Sequence, residues 1–268
     1  MSRFNLLFIG DVVGEGGVQI LEQMLPSLKK KYATDFVIVN GENSHEGRGF
    51  NEDICHRLFA AGIDVLTGGD HSFDKHMIIP YLKTERRLLR PLNYPRGVAG
   101  LGYGIFESEG GDKIGVINLR GQVFFNNPIE CPFRTADWVI PKLKDEVKYS
   151  FVDFHAEATA EKLAFAWYVD GRISAMSGTH THVPTGDEQI FPGGLGYITD
   201  AGFTGPHVSV IGMDKDTAIN RFLYQTPQKY KSGVEGNRIN GVMYELDQET
   251  GKTRKIYRVT FPDFIREQ

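Results

Sequence analysis

The sequence predicts an α/β fold in which a mixed β-sheet is sandwiched by helices. Two observations carry this. Short apolar runs alternate with segments of helical spacing in the N-terminal part of the chain, as in βαβ units with parallel strands. Further on, apolar runs are joined by tight polar turns, Glu109-Gly110-Gly111-Asp112 and Gln248-Glu249-Thr250-Gly251, which read as antiparallel hairpins. At 268 residues the chain could form one large domain or two modest ones. No linker, repeat or low-complexity tract marks a boundary, so a single domain over residues 1–268 is the simpler reading.

Leu6-Leu7-Phe8-Ile9 reads as a buried strand that stops at Gly10-Asp11. From about Gly17 to Lys31, Ile20, Leu21, Met24, Leu25 and Leu28 form a helical stripe with lysines at its C-terminal end. Phe36-Val37-Ile38-Val39 is a second buried strand, ending in Asn40-Gly41-Glu42-Asn43. The glycine-rich Gly47-Arg48-Gly49-Phe50 leads to a helix near Glu52 to Ala61. Ile63 to Thr67 is a third strand, ending in Gly68-Gly69-Asp70-His71, and Lys75 to Leu82 has helical character. Tyr103 to Phe106 and Lys113 to Leu119 pair as a hairpin, followed by an irregular aromatic stretch from Gly121 to Pro132. Thr135 to Lys148 reads as a helix with Trp138, Val139, Leu143 and Val147 inside. Tyr149 to Phe154 is a strand ending at His155, and Glu161 to Val169 is a helix carrying Leu163, Phe165 and Trp167. Ile173 to Met176 leads into Ser177-Gly178-Thr179-His180-Thr181-His182. Past Gly193 the chain reads as loop, a helix from Asp216 to Leu223, and the C-terminal hairpin.

Hydrophobic residues at 41% and charged residues at 24% are ordinary for a globular protein. A net charge of -4 argues against electrostatic capture of long nucleic acid or an anionic membrane. Cys55 and Cys131 are the two cysteines, far apart in sequence, which disfavours a disulfide framework or a thiolate zinc site and suits a reducing cytoplasm. The apolar run Leu6 to Ile9 is too short for a signal-peptide core or a membrane span.

Ligands of open α/β sheets gather at the carboxyl ends of strands. Five predicted strand ends carry Asp11; Glu42 and Asn43; Asp70 and His71; His155; and His180 with His182. Alternation along a strand would turn His180 and His182 to one face. Each group also has a bland reading: Asp11 as a helix N-cap, Glu42-Asn43 as a turn, His155 as a satisfied core histidine. One polar residue after a strand is ordinary, whereas metal-ligand types at every such junction point to a metal site. Carboxylate, amide and imidazole without thiolate suit iron, manganese or zinc. The carboxylates supply enough negative charge for two cations, with Glu42 able to bridge them. His45, His56, His76 and His207 lack that context and read as structural or surface groups. Gly47-Arg48-Gly49 remains a candidate phosphate-cradling loop, and no Walker-type P-loop occurs.

Four stretches together resemble the YmdB-like metallophosphoesterases, a bacterial branch of the calcineurin-like phosphoesterase superfamily. They are Phe8-Ile9-Gly10-Asp11-Val12-Val13-Gly14, Asn40-Gly41-Glu42-Asn43, His155-Ala156-Glu157-Ala158-Thr159-Ala160-Glu161-Lys162 and Gly178-Thr179-His180-Thr181-His182-Val183. Downstream, Asp187 to Gly194, Tyr197 to Asp200 and Gly202 to Pro206 resemble the same family, so the likeness spans nearly the whole chain. The broader superfamily opens with Asp-x-His, where this chain has Val13 at the histidine position. The resemblance implies a four-layer α/β/β/α sandwich with mixed sheets and two metal ions per chain, usually iron, with manganese or magnesium as substitutes. It implies Asp11, Glu42, Asn43, Asp70, His155, His180 and His182 as metal ligands, Glu42 bridging, and His71 as the acid that protonates the leaving oxygen. The implied activity is hydrolysis of 2′,3′-cyclic nucleotides and related small phosphodiesters by attack of a metal-bridging hydroxide.

One departure stands out: the family has Gly-Asn-His where this chain has Gly69-Asp70-His71. An ionised Asp70 keeps the metal bond, loses the donor an amide offers to phosphate, and adds a negative charge. It is expected to retain metal and to weaken or redirect catalysis. An alternative function follows from it, a catalytically weak regulatory protein that binds nucleotide or RNA ends. A metal-dependent amide or ester hydrolase is a third reading with the same site chemistry. The expected partner is a small phosphodiester or cyclic nucleotide, with no long nucleic acid and no membrane. Phe124-Phe125 and the C-terminal hairpin are candidates for a homo-oligomer interface.

Overall fold

A computed structural model describes residues 3–262. The chain runs through β1 (Arg3–Ile9), β2 (Asp11–Val12), α1 (Gly14–Tyr32), β3 (Phe36–Asn40), α2 (Glu52–Ala60) and β4 (Val65–Thr67). A 3₁₀ turn (His76–Ile78) leads into α3 (Ile79–Thr84), then β5 (Leu88–Leu89), β6 (Tyr103–Glu107), β7 (Lys113–Arg120), α4 (Pro132–Lys144), β8 (Tyr149–His155), α5 (Thr159–Val169) and β9 (Ala175–Thr179). The remainder is β10 (Gln189–Ile190), β11 (Gly196–Ile198), β12 (Phe203–Pro206), α6 (Lys215–Tyr224), β13 (Asn237–Asp247) and β14 (Thr253–Phe261).

These strands form two mixed sheets rather than the one that the local pattern suggested. The first has the order β2-β12-β13-β1-β3-β4-β5, with β14 paired to β13; the second has the order β10-β11-β9-β8-β7-β6. Strands β1, β3, β4 and β5 run parallel, and so do β7, β8, β9 and β11, while β13 joins β1 antiparallel. Alternation along β1 shows how the layers stack. Phe4, Leu6 and Phe8 point to the second sheet and pack with Val116, Tyr149 and Phe151, whereas Leu7 and Ile9 point the other way, to α1 and α2. The ring of Phe4 stacks on Tyr149 with centroids 4.3 Å apart. On the outer face of the second sheet, Ile117, Val152, Phe154 and Met176 meet α4 and α5. The order helix, sheet, sheet, helix is the four-layer α/β/β/α sandwich.

Several local expectations are corrected. The stretch past Gly193 is not all loop, since β11 and β12 lie in it and β12 pairs with β2 and β13. Such two- to four-residue strands leave no periodicity to read; they form because the neighbouring strand supplies the ladder. Trp138 and Trp167 are 52% and 55% exposed and Leu163 is also exposed. Helix α4 turns Ala136, Val139, Ile140 and Leu143 inward, and α5 turns Lys162, Phe165, Ala166 and Val169 inward. The two tryptophans lie beside those stripes, with Tyr103 in edge-to-face contact with Trp138 and the Lys142 ammonium over the Trp138 ring. Helix α4 begins at Pro132, a residue suited to a first turn that needs no N–H, and ends at Lys144, short of Lys148. Among the described residues no helix is long and apolar enough to cross a membrane.

Candidate metal centre

The carboxyl ends of β1, β3, β4, β8 and β9 converge on one edge of the sandwich, and the side chains just past them meet there. Asp11 sits in β2 and is not a helix cap, because α1 starts after Val13 with no side-chain cap. One group consists of Glu42, Asp70, His155 and His180, whose ligand atoms all lie within 4.8 Å of one another. His155 Nε2 is 3.1 Å from Glu42 Oε1 and 3.0 Å from Asp70 Oδ1, and His180 Nδ1 is 3.4 Å from the same Asp70 oxygen. A second group adjoins it. The Asn43 carboxamide lies 3.2 Å from Glu42 Oε1 and 3.1 Å from His182 Nε2, and His182 Nε2 is 3.8 Å from Asp11 Oδ1. Glu42 is common to both groups.

His180 and His182 do not reach the centre as neighbours on one strand face. Strand β9 ends at Thr179, and both histidines have positive φ, 97° and 65°, a region that residues with a Cβ seldom occupy. The bend sends His180 to Asp70 and His155 and sends His182 to Asn43 and Asp11. A buried ion pair fixes it. Lys162 Nζ donates to Asp200 Oδ2 at 2.8 Å and to the backbone oxygen of Thr179, also at 2.8 Å. The same Asp200 oxygen accepts from the backbone N–H and hydroxyl of Thr181, and its partner oxygen accepts from the N–H of Gly202.

Each imidazole is tied down by its outer nitrogen, which leaves the inner one for the centre. His155 Nδ1 donates to Thr179 Oγ1 at 2.9 Å, and that hydroxyl donates in turn to the buried Asp153 carboxylate. His180 Nε2 is 3.1 Å from Glu157 Oε2, and His182 Nδ1 donates to the backbone oxygen of Ile211 at 2.8 Å. Outer partners of this kind set tautomer and ring orientation at metal-binding histidines. The donor set also leaves one polar atom over: Asp11 Oδ1 is buried without a hydrogen-bond partner. A buried carboxylate oxygen with nothing to accept from is costly, and a cation resolves it. The residues present therefore fit a metal.

Electrostatics follow from the crowding. Burial raises the Asp11 carboxyl above its usual range, outweighing the pull of His182 and His155. Burial also opposes ionisation of Glu42 and Asp70. The His155 charge nevertheless holds Glu42 low, and hydrogen bonds from His155 and His180 hold Asp70 well below the usual range. Burial disfavours a charged His155, but Glu42, with hydrogen bonds to Asp70 and Glu42, keeps its imidazole well above the ordinary value. Beneath the centre, burial pushes Asp153 up to about 7, while it accepts hydrogen bonds from Asn40, Thr67 and Thr179 across the two sheets.

His71 stands beside these groups. Its backbone N–H donates to Glu42 Oε2 at 3.2 Å, and its Nδ1 is 3.0 Å from Asp74 Oδ2. It lines an open cleft of about 1000 Å³ with Glu42, Asn43, Arg48, His182 and Tyr230. The glycine-rich Gly47-Arg48-Gly49 loop thus lies at the rim of the same cleft.

A model of the YmdB-like protein family matches residues 7–259. The chain belongs to the YmdB-like family. It is 43% identical over 259 residues, 97% of each chain, to the 2′,3′-cyclic-nucleotide 2′-phosphodiesterase of Bacillus subtilis (strain 168). A crystal structure described as a novel phosphatase from Mycoplasma pneumoniae superposes with a TM-score of 0.90 at 36% identity, covering 97% of this chain and 94% of that one. A hypothetical protein from Thermus thermophilus gives 0.89 at 37% identity, covering 96% and 99%.

In this YmdB-like chain the strand-end pattern does not disclose the supports Glu157, Asp153, Thr179, Lys162 and Asp200. Lys162 carries a local signal all the same, because a lysine at an inward position of a helix stripe needs a buried partner.

Proposed function

We propose that the chain is a metal-dependent phosphodiesterase acting on 2′,3′-cyclic nucleotides and related small phosphodiesters, with two metal ions per chain. Iron is the proposed metal, with manganese or magnesium as substitutes. The observation that carries the reading is Glu42, shared between two adjoining donor groups in which three imidazoles, each held by one nitrogen, present the other. Asp11, Asn43 and His182 with Glu42 would hold one ion, and Asp70, His155 and His180 with Glu42 the other. A half-turn of the Asn43 carboxamide exchanges its nitrogen for the ligating oxygen. When bound, the cations supply the Lewis acidity that neutralises phosphate charge and makes water a nucleophile at neutral pH.

The rest falls to the chain's own groups. Asp74 engages His71 Nδ1, and among the described residues Nε2 has no protein partner, so Nε2 is the atom that would deliver a proton to the leaving oxygen. A donor so placed is worth roughly 10²- to 10⁴-fold. Two free cysteines and modest negative charge suit a cytoplasmic enzyme with small substrates.

The test is elemental analysis of protein purified without added metal, with 2′,3′-cyclic AMP hydrolysis measured on the same sample. Two metals per chain with hydrolysis is the expected result. Two metals without hydrolysis would favour the weakly catalytic nucleotide-binding alternative that Asp70 suggests. No bound metal would overturn the reading.

A further inference from the structure

Beside the candidate metal centre, and sharing His180 with the main cleft, a smaller pocket of about 320 Å³ opens between Asp70 and His180 on one part and Arg120 with the segment 124–127 on the other. Its size is at the lower end for small-ligand sites. The loop carrying that segment is fastened at both ends. The Glu161 carboxylate accepts from the backbone N–H groups of Gln122 and Val123 at 2.8 and 3.1 Å. Asn93 Nδ2 donates to the backbone oxygens of Arg120 and Glu130 at 2.8 and 3.0 Å. Arg120 is buried; its guanidinium donates to the backbone oxygens of Gly121 and Asn127 and lies over the Phe125 ring, 4.7 Å from the centroid. Phe125 in turn packs against His180, with ring centroids 4.9 Å apart. Phe125 is thereby a fixed wall.

Phe124 is different. It is 81% exposed, and its φ of 68° lies in the left-handed region that bulky side chains avoid. What sets Phe124 apart from the other exposed apolar side chains is its place: a strained backbone on a fastened loop holds the ring in the lining of the pocket beside Asp70 and His180. Asn126 and Asn127 follow it, both exposed, and among the described residues their carboxamides take no hydrogen-bond partner.

We propose that Phe124, Asn126 and Asn127 form the nucleobase subsite of the enzyme. This rests on the phosphodiesterase reading above. Phe124 offers a stacking face, which every base accepts, so stacking gives affinity without choice. The carboxamides carry a donor and an acceptor side by side, the complement of a base edge, whether the N6/N7 pair of adenine or the N3/O4 pair of uracil. The pocket's contact with Asp70 and His180 places a base here within reach of a phosphate at the metal centre.

The experiment uses the metal-loaded full chain and three substrates: 2′,3′-cyclic AMP, 2′,3′-cyclic UMP and the base-free glycerol 1,2-cyclic phosphate. In the wild type, kcat/KM is expected to be higher for both nucleotides than for the base-free diester. Phe124→Ala should lower the ratio of kcat/KM for 2′,3′-cyclic AMP over the base-free diester by roughly 5- to 100-fold, through KM. Phe124→Trp should restore the ratio, and Asn126→Ala with Asn127→Ala should lower the ratio over the base-free diester for both nucleotides. An unchanged ratio in Phe124→Ala overturns the subsite and leaves the phosphodiesterase reading standing. A fall in kcat with KM unchanged marks Phe124 as a support of the metal centre, and that too overturns the subsite. Failure of the wild type on all three substrates overturns the phosphodiesterase reading and the subsite with it.

Discussion

The Lys162–Asp200 pair allows the role of the histidine bend to be measured apart from the chemistry. Both side chains are fully buried and neither is hydrogen-bonded to a donor group of the candidate metal centre; the Asp200 charge reaches it only through space, as one of the smaller influences that raise Asp11. Removing one partner of a buried ion pair costs about 3–5 kcal/mol, because the other charge is left uncompensated. The two ends are not equal here. In Lys162→Met, Asp200 still accepts from Thr181 N, Thr181 Oγ1 and Gly202 N, so its charge stays partly satisfied. In Asp200→Ala, the Lys162 ammonium keeps a single acceptor, the backbone oxygen of Thr179, and Thr181 loses both its restraints. Asp200→Ala is therefore expected at the upper end of that range and Lys162→Met at or below its lower end. Urea unfolding with chelator present is the assay, since bound metal would add its own stabilisation. Metal affinity of the folded variants, by competition with a chromophoric chelator, should fall further in Asp200→Ala, because His180 and His182 flank the residue that is released. Equal midpoints for Asp200→Ala and wild type, or an Asp200→Ala protein that binds metal as tightly as wild type, would refute the claim that this pair holds the bend.

The other predictions concern the centre itself. His71→Ala should retain both metals and lose roughly 10²- to 10⁴-fold in kcat; wild-type kcat with full metal content would remove the proton-donor assignment. Asp70→Asn replaces a carboxylate with a hydrogen-bond donor to phosphate. It should raise kcat on 2′,3′-cyclic AMP by roughly tenfold, the worth of about 1.5 kcal/mol for a hydrogen bond to a charged group, while weakening metal retention. A lower kcat at full metal occupancy would show that the aspartate is the better residue here. Without a cation, the raised His155 favours the folded state, fully so below its unfolded value near 6.5, and this contribution disappears as pH rises through the folded value. A cation must displace that proton, so metal affinity should increase with pH across the neutral range and binding should release protons. Calorimetry in buffers of different ionisation enthalpy would check this, and zero proton release would contradict it.

What the sequence discloses is set by how local each determinant is. Apolar runs ending in Asp11, Glu42, Asp70, His155 and His180 are legible because a strand, and the rule that ligands gather at its carboxyl end, are both written in a few consecutive residues. The division into two sheets is not. Phe4 stacks on Tyr149 and Phe8 lies near Phe151 across a long sequence separation, and nothing in either strand says which sheet it joins. The likeness to a known family, not periodicity, implies four layers.

The bend at His180 and His182 is the clearest case of distant control. Alternation predicts a shared face for the two imidazoles, yet the structure gives them to different donor groups. The residues that impose this are Lys162 on a helix and Asp200 after a strand, neither of them near the pair in sequence. The Thr179 hydroxyl, held by Asp153, orients His155 on the same edge. A centre that shares Glu42 between two groups needs imidazoles on both sides of it, and an undistorted strand would deliver both to one. The strained backbone is thus what makes two donor groups out of one histidine motif, and the buried ion pair is what offsets that strain.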